Sequence, residues 1–222
     1  MSAEAGSAVS AWREHRFLQL LLCVVAGIIL LPFLAKFRIV LLVIQVLLLN
    51  GILVAMSANR RRSVLRRFLF GACAVNIALQ AVSLRLPTTV LPHVADAVGA
   101  VVLALCVVAI LTHVFRSADI TADTIFAAIV AYMFLALAFS RAFVIMQAVS
   151  PSNFGLREGV NMDLELLYFS FVTIATLGYG DVTPRLPSAQ MLAVLEAVIG
   201  QFYVAVLIAW LVSVYAGRRR RG

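Results

Sequence analysis

The chain alternates long apolar runs with short polar or basic breaks. The first run extends from Phe17 to Ala35, with Pro32 near its far end, and the second from Ile39 to Ser57, after a tight link carrying Lys36 and Arg38. A third covers Phe68 to Leu86, a fourth Ala95 to Phe115, a fifth Thr124 to Val149 and a sixth Ser188 to Tyr215. A helix needs about 20 apolar residues to cross the ~30 Å hydrocarbon core of a bilayer. The pattern therefore predicts an all-α protein with six membrane-spanning helices. Between the fifth and sixth runs the pattern breaks. Residues 150–162 form a loop with Pro151, Gly155 and Gly159, and Asp163 to Ala175 reads as an apolar helix too short to cross, with Asp163 and Glu165 at its start. The polar run Thr176-Leu177-Gly178-Tyr179-Gly180-Asp181 follows, then Pro184 to Pro187. A short helix with a glycine-containing return predicts a re-entrant loop, which bilayers tolerate only where it lines a water-filled or protein-filled cavity.

Arginines orient the spans. Asn59 to Arg67 holds Arg60, Arg61, Arg62, Arg66 and Arg67, and basic residues collect in cytoplasmic loops. With that loop inside, Arg13, Arg16, Arg116 and Arg218 to Arg221 are also inside, whereas Lys36, Arg38, Arg85, Arg157 and Arg185 are outside. Both termini are then cytoplasmic, Pro87 to Pro92 is an external loop, and the re-entrant loop opens outward. The first span is expected to be retained rather than cleaved as a signal peptide.

Composition narrows the class. With 64% hydrophobic and 13% charged residues in 222, this reads as an integral membrane protein. The net charge of +8 sits at helix ends, so it points to anionic lipid at Arg60, Arg61, Arg62, Arg66, Arg67 and Arg218, Arg219, Arg220, Arg221, and not to nucleic acid. Cys23, Cys73 and Cys106 lie in apolar runs as small hydrophobes, with no disulfide or metal site expected. His15, His93 and His113 stand at separate span ends, and no nucleophile has a recognisable acid–base partner, so an enzyme is not expected. Only one half of the chain carries a broken segment, unlike the inverted repeats of many secondary transporters.

The run 176–181 has its own chemistry. Carbonyls of an ordinary strand point alternately to two sides, and aiming them all at one axis requires alternate residues with unusual dihedrals, which Gly178 and Gly180 supply. Rings of such carbonyls can replace the water shell of a cation. The alternative is a surface turn that happens to spell Gly-Tyr-Gly-Asp.

The run resembles the selectivity filter of the tetrameric potassium channels. From about Asp123 onward the order of outer helix, pore helix, filter and inner helix, including Leu192 to Ala209, resembles the pore module of a prokaryotic six-helix potassium channel. The resemblance implies a homotetramer that conducts K+ passively in a bacterial inner membrane, with no cofactor besides the permeant ions. It implies that the carbonyls of Thr176, Leu177, Gly178 and Tyr179, with the Thr176 hydroxyl, hold K+ and that Gly180 completes the filter. Tyr179 then packs outward as a spacer, and Asp181 anchors the loop at the outer mouth. Leu177 stands where the best-known members have Val, and Val172 where some have a Glu that pairs with that Asp.

Further residues are expected to support the filter. Thr173 leads into the loop. Glu196, about eight residues into the sixth helix and so roughly 12 Å along it, either bonds to Thr173 or Ser170 behind the filter or faces the outer vestibule. Gly200 matches the family's hinge glycine, or else allows close packing against the pore helix. Thr121 or Asp123 is expected to cap the fifth helix, and Arg141 to snorkel outward or pair with a carboxylate such as Glu158. The fourth span, Ala95 to Val114, has no Lys or Arg, so steep voltage coupling is not expected. His113 is expected as a core or interfacial residue. No fused cytoplasmic sensor is expected after Tyr215, leaving lipid, pH, filter-based or constitutive opening. The domains expected are a tail at 1–16, a four-helix domain at 17–116, a pore domain at 117–216 and a basic tail at 217–222. Two alternatives stay open: a poorly selective cation channel and a silent partner subunit.

Overall fold

A computed structural model describes residues 16–34, 63–85, 90–117, 120–157 and 159–219. Among the described residues the protein is all-α: α1 (Arg16–Leu34), α2 (Ser63–Arg85), α3 (Leu91–Val114), α4 (Ala122–Val149), α5 (Met162–Ile174) and α6 (Pro187–Arg219). Four of these, α1, α3, α4 and α6, are long and apolar enough to cross a membrane. The second expected span, 39–57, lies outside the described residues, as do residues 1–15, Arg60, Arg61, Arg62, Arg220 and Arg221.

Several helix boundaries differ from the hydropathy pattern, for local reasons. α2 begins at Ser63, inside the stretch expected to be a basic loop, so Arg66 and Arg67 belong to a helix. Its apolar part, Phe70–Ser83, is shorter than a full crossing. α3 begins at Leu91 rather than Ala95, and Leu91 and Pro92 leave the expected external loop. A proline in the first turn costs nothing there, since its missing N–H has no intrahelical partner to lose. Thr121 is the N-cap of α4, with Oγ1 accepting from Thr124 N at 3.3 Å. Asp123 does not share that role. Its Oδ1 accepts from Phe17 N at 2.9 Å and so satisfies a first-turn amide of α1.

One core joins α1, α2, α3 and α4. α3 lies along α4, α2 packs on α3, and α1 packs on α4. Phe17, Leu20 and Val24 meet Cys106, Ile110 and Val114, and Ala127, Ala128 and Ala131 let the backbones of neighbouring helices approach α4. The buried Asn76 amide donates to Ala95 O at 3.0 Å, with Gly99 beside it. His113 is exposed, its ring stacked on Phe17 at 5.7 Å. Arg141 pairs with Asp96 of α3, Nη1 to Oδ1 at 3.1 Å; Glu158, the carboxylate named from the sequence, lies outside the described residues.

A second core holds the re-entrant segment. Phe143 of α4, Phe154 of the following loop and Phe169 of α5 meet edge to face, with centroids 5.1 to 5.4 Å apart. Leu166, Val182, Ala189 and Ala193 close around them. α5 is thus wedged between α4 and α6, and its C-terminal end leads into the loop that follows.

Candidate pore loop

α5 is fastened at both ends. At its start Asn161 Oδ1 accepts from Asp163 N at 2.9 Å and Leu164 N at 3.3 Å. Asp163 is exposed, but Glu165 is buried. Glu165 Oε2 accepts from Arg157 N at 2.9 Å, and Oε1 pairs with Arg157 Nε at 2.5 Å. The hydrogen bond it donates to Glu165, then the charge of that carboxylate, raises the pKa of the Arg157 guanidinium above its ordinary value. A solvated helix start therefore describes Asp163 and not Glu165. At the far end Ala175 N, Thr176 N and Leu177 N donate to Phe171 O, Thr173 O and Val172 O, at 3.2, 3.0 and 2.9 Å. Tyr132 of α4 donates its hydroxyl to Ile174 O at 2.8 Å. The last carbonyls of α5 are in this way occupied before the chain turns.

Beyond α5 the backbone alternates in hand. Thr176, Gly178 and Gly180 have φ of 56°, 60° and 78°, whereas no positive φ occurs at Leu177 or Tyr179. Two of these positions are the glycines that the carbonyl argument requires. Thr176 was not foreseen, and for a β-branched residue the left-handed region is an outlier. Such strain persists only where the surroundings over-determine it, and the amide bonds on both sides of the Ala175–Leu177 turn do so here.

The side chains of the loop divide by direction. Leu177 and Tyr179 are 58% and 67% exposed in the single chain. The Tyr179 ring lies parallel to that of Tyr168 on α5, with centroids 6.4 Å apart. Tyr168 also lies beside Asp181. Val172 offers Asp181 no polar group, and this phenol stands one turn earlier on the helix. Gln201 Nε2 comes within 3.5 Å of Thr176 Oγ1.

The return path is braced against the entry path. Gly155 N donates to Thr183 O at 3.0 Å and Arg185 N to Asn153 O at 2.7 Å, forming one antiparallel bridge between Phe154 and Pro184. Gln147 holds the entry loop from α4, accepting from Phe154 N at 3.0 Å and donating to Pro151 O at 2.8 Å.

Behind the loop lies a buried polar contact. Glu196 of α6 is fully buried and touches Ser170 Oγ, not Thr173. The Ser170 hydroxyl also lies 2.7 Å from Ala136 O on α4. Four residues further along α6, a Cβ added at Gly200 would stand 2.6 Å from Ile174 Cγ1 and 2.9 Å from Ile174 O. Close packing on the pore helix is thus the geometry present at Gly200.

Sequence reasoning did not single out Tyr132, Tyr168, Gln147 or Asn153. A weak signal existed, because a phenol or amide within an apolar helix needs a partner when buried. Which partner depends on tertiary contacts that no local pattern encodes.

Residues 124–216 match the Ion_trans_2 family, described as ion channel, over less than half of the chain. Among curated proteins the chain is similar to Two pore potassium channel c of Oryza sativa subsp. japonica, 38% identical over 84 residues. That alignment covers 37% of this chain and only 18% of the relative. No solved structure matches the chain. Both matches are to ion channels, a class without catalytic chemistry, and the four long apolar helices are those of a membrane protein.

Proposed function

We propose that the chain is one subunit of a homotetrameric, potassium-selective channel, with the filter built from four copies of Thr176-Leu177-Gly178-Tyr179-Gly180. The observation that carries this reading is the alternation of left-handed residues at Thr176, Gly178 and Gly180. In such a run successive peptides flip so that carbonyls face one side, as a ring of ion-coordinating oxygens requires. The carbonyls of Thr176, Leu177, Gly178 and Tyr179 and the Thr176 hydroxyl hold K+, and Asp181, Thr173 and Glu196 support the loop. The exposure of Leu177, Tyr179 and the apolar faces of α6 in a single chain supports burial against further copies.

The same reading makes residues 17–116 a four-helix domain and 117–216 a pore domain in a bacterial inner membrane, with cytoplasmic termini and anionic lipid at the arginine clusters. α3 contains no Lys or Arg, so opening is not steeply voltage-dependent. The test is the reversal potential of purified, reconstituted protein under opposed potassium and sodium gradients, with barium added afterwards. Reversal near the potassium equilibrium potential and block by barium are expected. Robust current reversing near zero would instead identify a poorly selective cation channel, and current arising only with a co-expressed channel would identify a silent partner.

A further inference from the structure

The polar contact behind the pore helix has two bonds to make and one serine hydrogen to make them with. Ser170 Oγ lies 2.7 Å from Ala136 O and in hydrogen-bond contact with Glu196 Oε1, and both side chains are fully buried. A hydroxyl carries one hydrogen, and a backbone carbonyl can only accept. The contact with Ala136 therefore takes the serine hydrogen, and the contact with Glu196 needs a hydrogen from the carboxyl. An ionised Glu196 would draw the serine hydrogen to itself and leave two lone pairs facing each other at Ala136. It would also leave Oε2 as a buried anionic oxygen, with no partner among the described residues. Burying a charge without a partner is far costlier than burying a neutral carbonyl oxygen.

Among the described residues the neighbouring elements offer no compensating cation. The titratable group that faces Glu196 from α4 is Tyr132, whose hydroxyl is committed to Ile174 O. The other charged residue in the α4 interior, Arg141, pairs with Asp96. On α5 the acids Asp163 and Glu165 are confined to the first turn, Glu165 being paired with Arg157, and Tyr168 lies beside Asp181. On α6 the next titratable side chain, Tyr203, donates to Ala128 O at 2.5 Å.

We propose that Glu196 is a proton-bearing positioning residue: as the neutral acid it donates to Ser170 Oγ, which donates to Ala136 O. This chain ties α6, α5 and α4 together directly behind the loop. When the proton leaves to alkaline water, the single serine hydrogen is contested by the carboxylate and by Ala136 O, and the tie is lost. The inference rests on the filter reading only for its effect on current.

Infrared spectra of the reconstituted full chain separate the two. At neutral pH the wild type shows the C=O stretch of a protonated, buried carboxyl, which is downshifted in deuterium oxide, absent in E196Q and moved by Ser170→Ala. Raising the pH removes the band, and potassium current falls with it, by up to about tenfold per pH unit beyond the titration point, the limit of a single deprotonation. E196Q, with a permanent donor in place of the acid, conducts without that decline. If E196Q does not fold, glutamate carboxyl isotope labelling of wild type and Ser170→Ala reads the same band. An identical carboxyl band in wild type and E196Q at neutral pH overturns the proposal whether or not the protein conducts. A titrating band with unchanged current overturns the positioning role and leaves the filter reading intact.

Discussion

At Gly178 and Gly180 the φ values of 60° and 78° put the backbone where a Cβ crowds the following carbonyl. Nothing lies within 4 Å of either imagined Cβ, so the cost of alanine there is conformational and not steric against neighbours. That cost is about 1–2 kcal/mol per residue in each chain. Gly178→Ala and Gly180→Ala are expected to abolish potassium current while membrane insertion stays normal, and selective current from either variant would defeat the filter assignment. Gly200 presents the opposite case, with an ordinary helical backbone and no room. Ile174 Cγ1 can move, but the Ile174 carbonyl at 2.9 Å cannot. Gly200→Ala is expected to destabilise the protein by about 1–3 kcal/mol, the usual range for overpacking. A melting temperature of the detergent-solubilised protein measures it, and Ile174→Ala added to it restores little, because the carbonyl remains in the way.

Between elements, the pore helix is held by partners that hydropathy does not encode. The Tyr132 hydroxyl occupies Ile174 O, which would otherwise be an open carbonyl at the end of α5. Tyr132→Phe is expected to cost about 1 kcal/mol, the net value of one such bond, and to speed amide exchange at Ala175 to Leu177 while leaving exchange in α1 unchanged. Uniform acceleration across both regions would mean that the bond acts on global stability and not on the loop. At the opposite end of α5, Glu165→Ala removes the acceptor for both Arg157 N and Arg157 Nε. Faster exchange in the outer loop around residues 155–157 is expected, with the filter amides following only if the two ends of α5 are coupled. The existence and order of α1, α3, α4, α5 and α6 were legible, because each is an apolar run of helix length. The starts at Ser63 and Leu91 were not, because arginines and a proline lower hydropathy in places where a helix accepts them. Glu196 was legible as a buried acid behind the loop, since its depth follows from helix rise, but its proton follows only from the Ala136 carbonyl on another helix.

Across the whole molecule, α4 belongs to both cores, and the helices before it are tied to it near both of its ends. Near its start Asp123 holds the first turn of α1. In its second half Arg141 holds Asp96 of α3. Residues 45 apart in sequence meet there, which explains why the sequence pointed to the nearer Glu158 instead. A charge pair within apolar helices is costly to leave half-made. With the side chains 34% and 17% exposed in the single chain, the pair sits between the surface and interior limits. Arg141→Ala and Asp96→Ala are each expected to lower the melting temperature, and the double variant to lower it by less than their sum. A coupling of about 0.5–3 kcal/mol is expected for residues in contact. The charge-swapped variant D96R/R141D should recover part of the loss. Strict additivity in this cycle would mean that α3 is held to α4 by apolar packing alone, and that α3 can shift along α4 without breaking an ion pair.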